Sequence, residues 1–235
     1  MAKHIGIIAV SPEGAALFYG QLTRHLSKLA PPNDQPRITI HNEPVNSYID
    51  SIRRGDWHAV ARLMRRSADV VIAAGAEVCL VPDNIVQHAV HLAESGSTVP
   101  WLPMTDLVAQ SIATDHRKVV GVIGTKLVTE SSTYQTPLGI RGIQVLPPTG
   151  EEADLLEQII FGELLYGHIR PESRSAVHEI ISHFARRGCE GVILGCSEAP
   201  LVVTKENSCL PVYDAADILA ERAVKFCLTG GSHPV

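Results

Sequence analysis

Gly75-Ala76-Glu77-Val78-Cys79-Leu80-Val81-Pro82-Asp83-Asn84 aligns without a gap to Gly188-Cys189-Glu190-Gly191-Val192-Ile193-Leu194-Gly195-Cys196-Ser197, and this pairing decides how the chain is organised. Each stretch reads as a glycine that ends a helix, an apolar run of strand length, and a titratable side chain just past it. That side chain is Asp83 in the first copy and Cys196 in the second. A second match lies upstream of each. Gly6-Ile7-Ile8 leads to Tyr19 and Gly121-Val122-Ile123 leads to Tyr134, with 13 positions from glycine to tyrosine in both. The two matches stand 69 residues apart in the first half and 67 in the second, so a whole unit repeats rather than one short motif.

Around these anchors, short apolar runs alternate with longer stretches of helical spacing, the pattern of parallel sheets covered by helices on both faces. Strands are expected at 4–10, 37–41, 77–82, 118–125, 142–146 and 191–196. Helices are expected at 14–29, 47–74, 85–96, 105–114, 129–138, 151–167 and 171–187, with Gly75 and Gly188 as C-terminal caps. The fold class is therefore α/β: two pseudosymmetric domains, each a central three-stranded parallel sheet flanked by helices. Residues 1–104 form the first domain and 105–208 the second. The segment 209–235, with a short strand at 210–213 and a last helix at 215–228, is expected to rejoin the first.

Composition narrows the chemistry. The 235 residues are 45% hydrophobic and 19% charged, which describes a globular protein and excludes a disordered chain, a coiled coil or a collagen-like repeat. With 20 Lys+Arg against 25 Asp+Glu, the net charge of -5 leaves no surplus for holding a phosphate backbone, so no nucleic-acid partner is expected. No apolar run approaches the ~20 residues that cross a bilayer. The N-terminal MAKHIGIIAV passes directly into a strand pattern without a cleavable signal, and the expected location is cytoplasmic. Five widely spaced cysteines without a Cys-x-x-Cys pair fit neither a disulfide framework nor a zinc site, and the eleven histidines form no metalloprotease motif. Neither a metal nor a cofactor is expected.

In an open parallel sheet the carboxyl ends of the strands border the ligand crevice. Asp83 and Cys196 both fall there, with Ser11 and Thr125 at the corresponding ends of the first strands. A pseudo-twofold relation would turn the two edges toward one substrate, with one titratable group on each side. That arrangement suits inversion of a carbon acid, in which one group removes the Cα proton from one face and another delivers a proton to the opposite face. A thiol at a helix N-terminus is activated by unpaired N–H groups, which favours Cys196 as a base. Asp83 can serve as an acid at neutral pH only if burial or a neighbouring anion raises its pKa; as a structural residue it would be the N-cap of the helix near Ile85. Asn84 and Ser197, beside them, leave backbone N–H groups to hold a substrate carboxylate. Arg53 and Arg54 are candidate forks for a side-chain carboxylate, or else a solvated helix end. Lys126 and Glu198 read the same two ways. Cys79, Cys189, Cys209 and Cys227 lack an activating context and read as packing residues.

Leu194-Gly195-Cys196-Ser197-Glu198 resembles the second catalytic motif of the cofactor-independent aspartate/glutamate racemase family, where a Gly-Cys-Thr-Glu run is usual. Supporting stretches are Gly6-Ile7-Ile8 with Ser11-Pro12-Glu13 and Phe18-Tyr19, Arg53-Arg54-Gly55-Asp56-Trp57, Gly124-Thr125, Ile159-Ile160-Phe161 with Glu163-Leu164, and Leu210-Pro211-Val212-Tyr213-Asp214. The resemblance implies two-base racemisation of an acidic amino acid between two domains, without pyridoxal phosphate or metal, in a homodimer. Two departures stand out. The family's Cys-Asn-Thr is Asp83-Asn84-Ile85 here, and its Gly-Gly-Met is shortened to Ala9-Val10. Two other readings remain open: an arylmalonate-type decarboxylase with Cys196 as sole proton donor, and a binding protein whose catalytic site has decayed.

Overall fold

The computed structural model describes residues 2–230, which divide into two compact units, 2–104 with 219–230, and Thr105–Ile218. The first unit contains β1 (Ile5–Ala9), α1 (Pro12–Leu29), β2 (Ile38–Asn42), α2 (Val45–Arg53), α3 (Trp57–Ala73), β3 (Val78–Leu80) and α4 (Gln87–Glu94). Its three strands are parallel in the order β2-β1-β3, and β1 is buried along its whole length, as the middle strand of a sheet covered on both faces must be.

The second unit repeats the plan. It contains α5 (Met104–Thr114), β4 (Val119–Gly124), α6 (Lys126–Thr129), α7 (Ser132–Gly139), β5 (Gln144–Leu146), α8 (Gly150–Gly162), α9 (Pro171–Arg186), β6 (Val192–Gly195) and β7 (Val212–Asp214). Its strands are parallel in the order β5-β4-β6-β7. The last helix, α10 (Ala215–Leu228), begins in this unit and ends in the first, where the Lys3 N–H donates to the Cys227 carbonyl at 3.3 Å.

Strand register gives the repeat a physical basis. Gly6 of β1 pairs with Cys79 of β3, and Gly121 of β4 pairs with Val192 of β6. These are the same partners that the sequence alignment of the two halves puts in equivalent places. Both glycines are there for the same steric reason. A Cβ on Gly6 would lie 2.7 Å from Val71 of α3, and one on Gly121 would lie 2.6 Å from the Phe184 ring of α9. In each unit the helix preceding the third strand presses a large side chain onto the central strand. The amino ends match too: Glu77 accepts the His4 N–H at 2.9 Å and Glu190 accepts the Lys118 N–H at 2.5 Å.

Several expected boundaries shift. The helix expected over 47–74 is two helices, broken where Gly55 adopts φ +68° and Asp56 caps α3 by accepting the Ala59 N–H at 2.8 Å. The segment expected as one helix over 129–138 is split into α6 and α7, with Ser131 capping the latter. The one over 151–167 stops at Gly162 and ends in a 3-10 turn. The second sheet has four strands, because the strand at 212–214 pairs with β6. Residues 209–218 therefore belong to the second unit, and the return to the first begins at Leu219 rather than at 209. Tyr19 and Tyr134 part company as well: Tyr134 is buried, while Tyr19 is exposed and Phe18 fills the core in its place. No described helix is long and apolar enough to cross a membrane.

Candidate active site

At the carboxyl edge of the first sheet, Ser11 follows β1 and Asp83 and Asn84 follow β3, all three buried. The Asp83 carboxyl accepts the Ser11 N–H on Oδ2 at 3.4 Å and the Ile85 N–H on Oδ1 at 3.0 Å. Ser11 caps α1 with its hydroxyl, which accepts the Gly14 N–H at 3.1 Å. The turn carrying Asp83 is held from α4, where Gln87 Nε2 donates to the carbonyls of Val81 at 3.1 Å and Asp83 at 2.9 Å. Asp83 does not cap that helix, which starts only at Gln87 and has no side-chain cap. Its carboxyl instead closes a tight turn on Ile85 and ties β3 to the start of α1.

Behind this edge, the Tyr48 ring lies wholly buried among α2, α3 and β1 residues. Burial pushes its hydroxyl above the usual tyrosine range; Ser67 opposes the shift, and the charges of Glu43 and Asp83 add to it. Ser67 is itself bonded to His41 Nδ1 at 3.0 Å. Asp83 thus stands above a buried polar group rather than a purely aliphatic core.

The second sheet presents Thr125 after β4 and Cys196, Ser197 and Glu198 after β6, again all buried. β4 and β6 approach unusually closely here. Gly124 pairs with Gly195, and a Cβ on either would meet a backbone oxygen of the neighbouring strand at 2.8 Å or 2.9 Å. One step further along this register come Thr125 and Cys196. The Thr125 hydroxyl has no hydrogen-bond partner although the residue is only 2% exposed, and it heads α6 without capping it. A buried hydroxyl left unpaired is costly in a finished core and useful where a ligand oxygen is to be held.

The Cys196 thiol donates to Glu198 Oε2 at 3.1 Å. By sequence alone Glu198 could equally be a solvated residue; it is in fact the side chain bonded to the sulfur. Its signal was the Cys-Ser-Glu spacing, which on a turn returns residue i+2 to the side of residue i. The expected helix dipole at Cys196 is absent in the same place. The sulfur precedes only a single 3-10 turn, Ala199–Leu201, with the Ala199 N–H on the Cys196 carbonyl at 3.1 Å, too short to carry much aligned dipole. The carboxylate of Glu198, rather than a helix terminus, is the group that bears on the sulfur. Toward the interior, Cys196 borders a narrow apolar cavity of ≈ 10 Å³ with Ile160, Leu164, Val177 and Val202.

The remaining expectations divide. Ser11, Asp83 and Asn84 gather at one edge, and Thr125, Cys196 and Ser197 at the other. Arg53 ends α2 and Arg54 follows it as the C-cap; both are exposed and form no ion pair among the described residues. Lys126 is engaged, its ammonium on Asp154 and its N–H on Glu157 at 2.8 Å.

Residues 7–223 match the family model for Asp/Glu/Hydantoin racemase. Over 139 residues the chain is 27% identical to glutamate racemase of Pseudomonas aeruginosa, covering 58% of this chain and 51% of that protein. The match thus spans about half the length of that relative. Among solved structures, a candidate Asp/Glu racemase of Yersinia pestis is similar with a TM-score of 0.85 at 28% identity, covering 96% of this chain and 99% of that one. An aspartate racemase homologue of Pyrococcus horikoshii gives a TM-score of 0.83 at 25% identity, with coverage of 96% and 99%.

Proposed function

The chain belongs to the Asp/Glu/Hydantoin racemase family, and from that premise we propose that it racemises an α-amino acid by two-base proton transfer, with Cys196 on one face of Cα and Asp83 on the other. The observation that carries the reading is the register: Asp83 lies four residues past Cys79, and Cys196 four past Val192, where Cys79 and Val192 are the partners of the equivalent Gly6 and Gly121. Two titratable side chains thus occupy equivalent positions in the register of the two halves, which supports a paired role.

The hydrogen bonds divide the roles. Two backbone N–H groups on the Asp83 carboxyl favour its ionised form, and a thiol donating to Glu198 is protonated. On this reading Asp83 is the base and Cys196 the acid in the resting enzyme, the reverse of what helix-dipole activation of the sulfur would give. Asp83 takes the Cα proton of one enantiomer while the thiol delivers its proton to the opposite face. The other direction runs on the form this turnover leaves, in which the thiolate abstracts the Cα proton and protonated Asp83 supplies the new one. Thr125, with its unpaired hydroxyl, and Ser11, Asn84 and Ser197 are the groups to hold the α-carboxylate and the charge that develops on it in the transition state.

The test is exchange of the Cα hydrogen in deuterated water, followed by proton NMR on separate L- and D-amino acids. Wild type washes deuterium into both enantiomers of its substrate. Cys196→Ala and Asp83→Asn abolish racemisation, and undiminished turnover in Cys196→Ala refutes the assignment.

A further inference from the structure

Resting on the racemase reading, we infer that Gln87 is a positioning residue for Asp83: its amide fixes the turn that carries the carboxylate, and so decides where the base stands. β3 ends at Leu80, and the chain turns through the buried residues Val81, Pro82, Asp83 and Asn84 before α4 begins at Gln87. Gln87 ties this turn from both its side chain and its main chain. Nε2 donates to the carbonyls of Val81 at 3.1 Å and Asp83 at 2.9 Å, and the backbone N–H donates to the Asn84 carbonyl at 3.3 Å. A primary amide has two protons to donate, and here one goes to the carbonyl on each side of Pro82.

These main-chain bonds bear on the side chain. Asp83 Oδ1 accepts the Ile85 N–H from the same turn at 3.0 Å, and Oδ2 accepts the Ser11 N–H from beyond β1 at 3.4 Å. The first bond lasts only while residues 83–85 keep their curvature, and the second is already long. If the amide is removed, two buried carbonyls lose a donor and the main chain must shift to find others, taking the carboxylate with it. The second half of the repeat has no such device. Four residues on from Asp83 is Gln87, whereas four on from Cys196 is Pro200, which has no donor at all. The segment after β6 is held instead by Arg174 of α9, on the carbonyls of Leu201 at 3.2 Å and Val202 at 3.3 Å. The amide thus goes with the half that bears a carboxylate rather than with the plan both halves share. The other titratable and charged groups on the elements around the turn are Glu13, Glu43 with its partner Arg66, Tyr48, Asp56 and His88, and substitution of Gln87 alters none of them.

The test replaces the amide in the full chain. Gln87→Met keeps the length and loses both donors, while Gln87→Asn keeps the amide but withdraws it by one methylene. Leu92→Gly, at an exposed position of the same helix, is the control for lowered stability alone. With aspartate isotope-labelled at its carboxyl carbon, NMR follows the titration of Asp83, whose signal is the one missing from Asp83→Asn. In both Gln87 variants the midpoint is expected to rise by roughly one pH unit, because a carboxylate that loses an N–H donor holds its charge less readily. Cα-deuterium exchange, on whichever amino acid wild type turns over, is expected to lose about tenfold in kcat with KM within about twofold, as a displaced base does. Leu92→Gly should move neither reading. An unchanged midpoint or an unchanged kcat in a Gln87 variant that circular dichroism shows to be folded overturns the inference and leaves the racemase reading intact. If folded wild type exchanges none of the L- and D-amino acids, both fall, whatever the titration shows.

Discussion

The Cys196 sulfur and the Glu198 carboxylate lie 3.1 Å apart, both buried, with the thiol as donor. This contact gives the sulfur a proton acceptor that does not depend on solvent. Glu198→Gln keeps the shape and removes the acceptor, so kcat/KM is expected to fall about 100-fold, the lower end of what a positioned base contributes. Because racemisation has an equilibrium constant of one, the fall must be equal in the L-to-D and D-to-L directions. Polarimetric progress curves from each enantiomer measure it, and a loss under threefold would remove Glu198 from the mechanism.

Gly6 and Gly121 should be intolerant in parallel. An added methyl group would sit 2.7 Å from the Val71 side chain in one unit and 2.6 Å from the Phe184 ring in the other, with both neighbours themselves fully packed. Gly6→Ala and Gly121→Ala are each expected to cost ~1–3 kcal/mol, the range for overpacking a core. Urea denaturation measures this. Phe184→Leu combined with Gly121→Ala should recover part of the loss, because the flat ring is the obstruction.

This steric demand explains why so much of the fold was legible in the sequence. A central strand pressed by a helix needs glycine at the contact, and the need recurs at the same distance from the strand that comes next, so the repeat could be found without coordinates. The break inside 47–74 was less visible because helical spacing continues on both sides of it. Its marks were local: Gly55, which adopts a positive φ, and Asp56, which caps the next helix. The placement of β7 was not legible, since which sheet a three-residue strand joins depends on tertiary packing and not on its own pattern. Both proton-transfer candidates were found from their position after a strand. Glu198 stayed undecided between contact and solvation because an acidic side chain is ordinarily solvated, and only the turn after β6 settles its burial.

The five cysteines should separate cleanly by reactivity. Burial pushes the thiols of Cys79 and Cys227 up to about 12, whereas Cys209 is exposed. Since the thiolate is the nucleophile, Cys79 and Cys227 have almost none of the reactive form at pH 8. Titration of the native protein with a chromogenic disulfide is expected to show a fast phase that Cys209→Ser removes. Cys79 and Cys227 should react only after unfolding in guanidinium. Fast labelling of either in the native state, located by peptide mass, would mean that the core of the first unit opens readily.

Acid should loosen the second unit through Glu163. This buried carboxylate receives the Arg170 N–H at 2.8 Å, Arg170 Nε at 2.8 Å and the Ser173 hydroxyl at 2.7 Å, pinning the end of α8 to the start of α9. The Arg170 backbone N–H does most to hold its pKa down at about 2; burial works against it, and the Arg170 side chain and Ser173 reinforce it. An unfolded glutamate titrates near 4.5, so the folded state binds the proton less readily than the unfolded one. The stabilisation is therefore fully present above about pH 5 and is lost as pH falls from there through about 2. Glu163→Gln should melt a few degrees below wild type at pH 7. Thermal melts at pH 7, 5, 4 and 3 should show that gap nearly unchanged between pH 7 and 5 and narrowing at pH 4 and 3, because wild type loses the contribution there while the variant has none to lose. A gap that stays constant across this range would mean that the three bonds do not distinguish the charged carboxylate from the neutral acid.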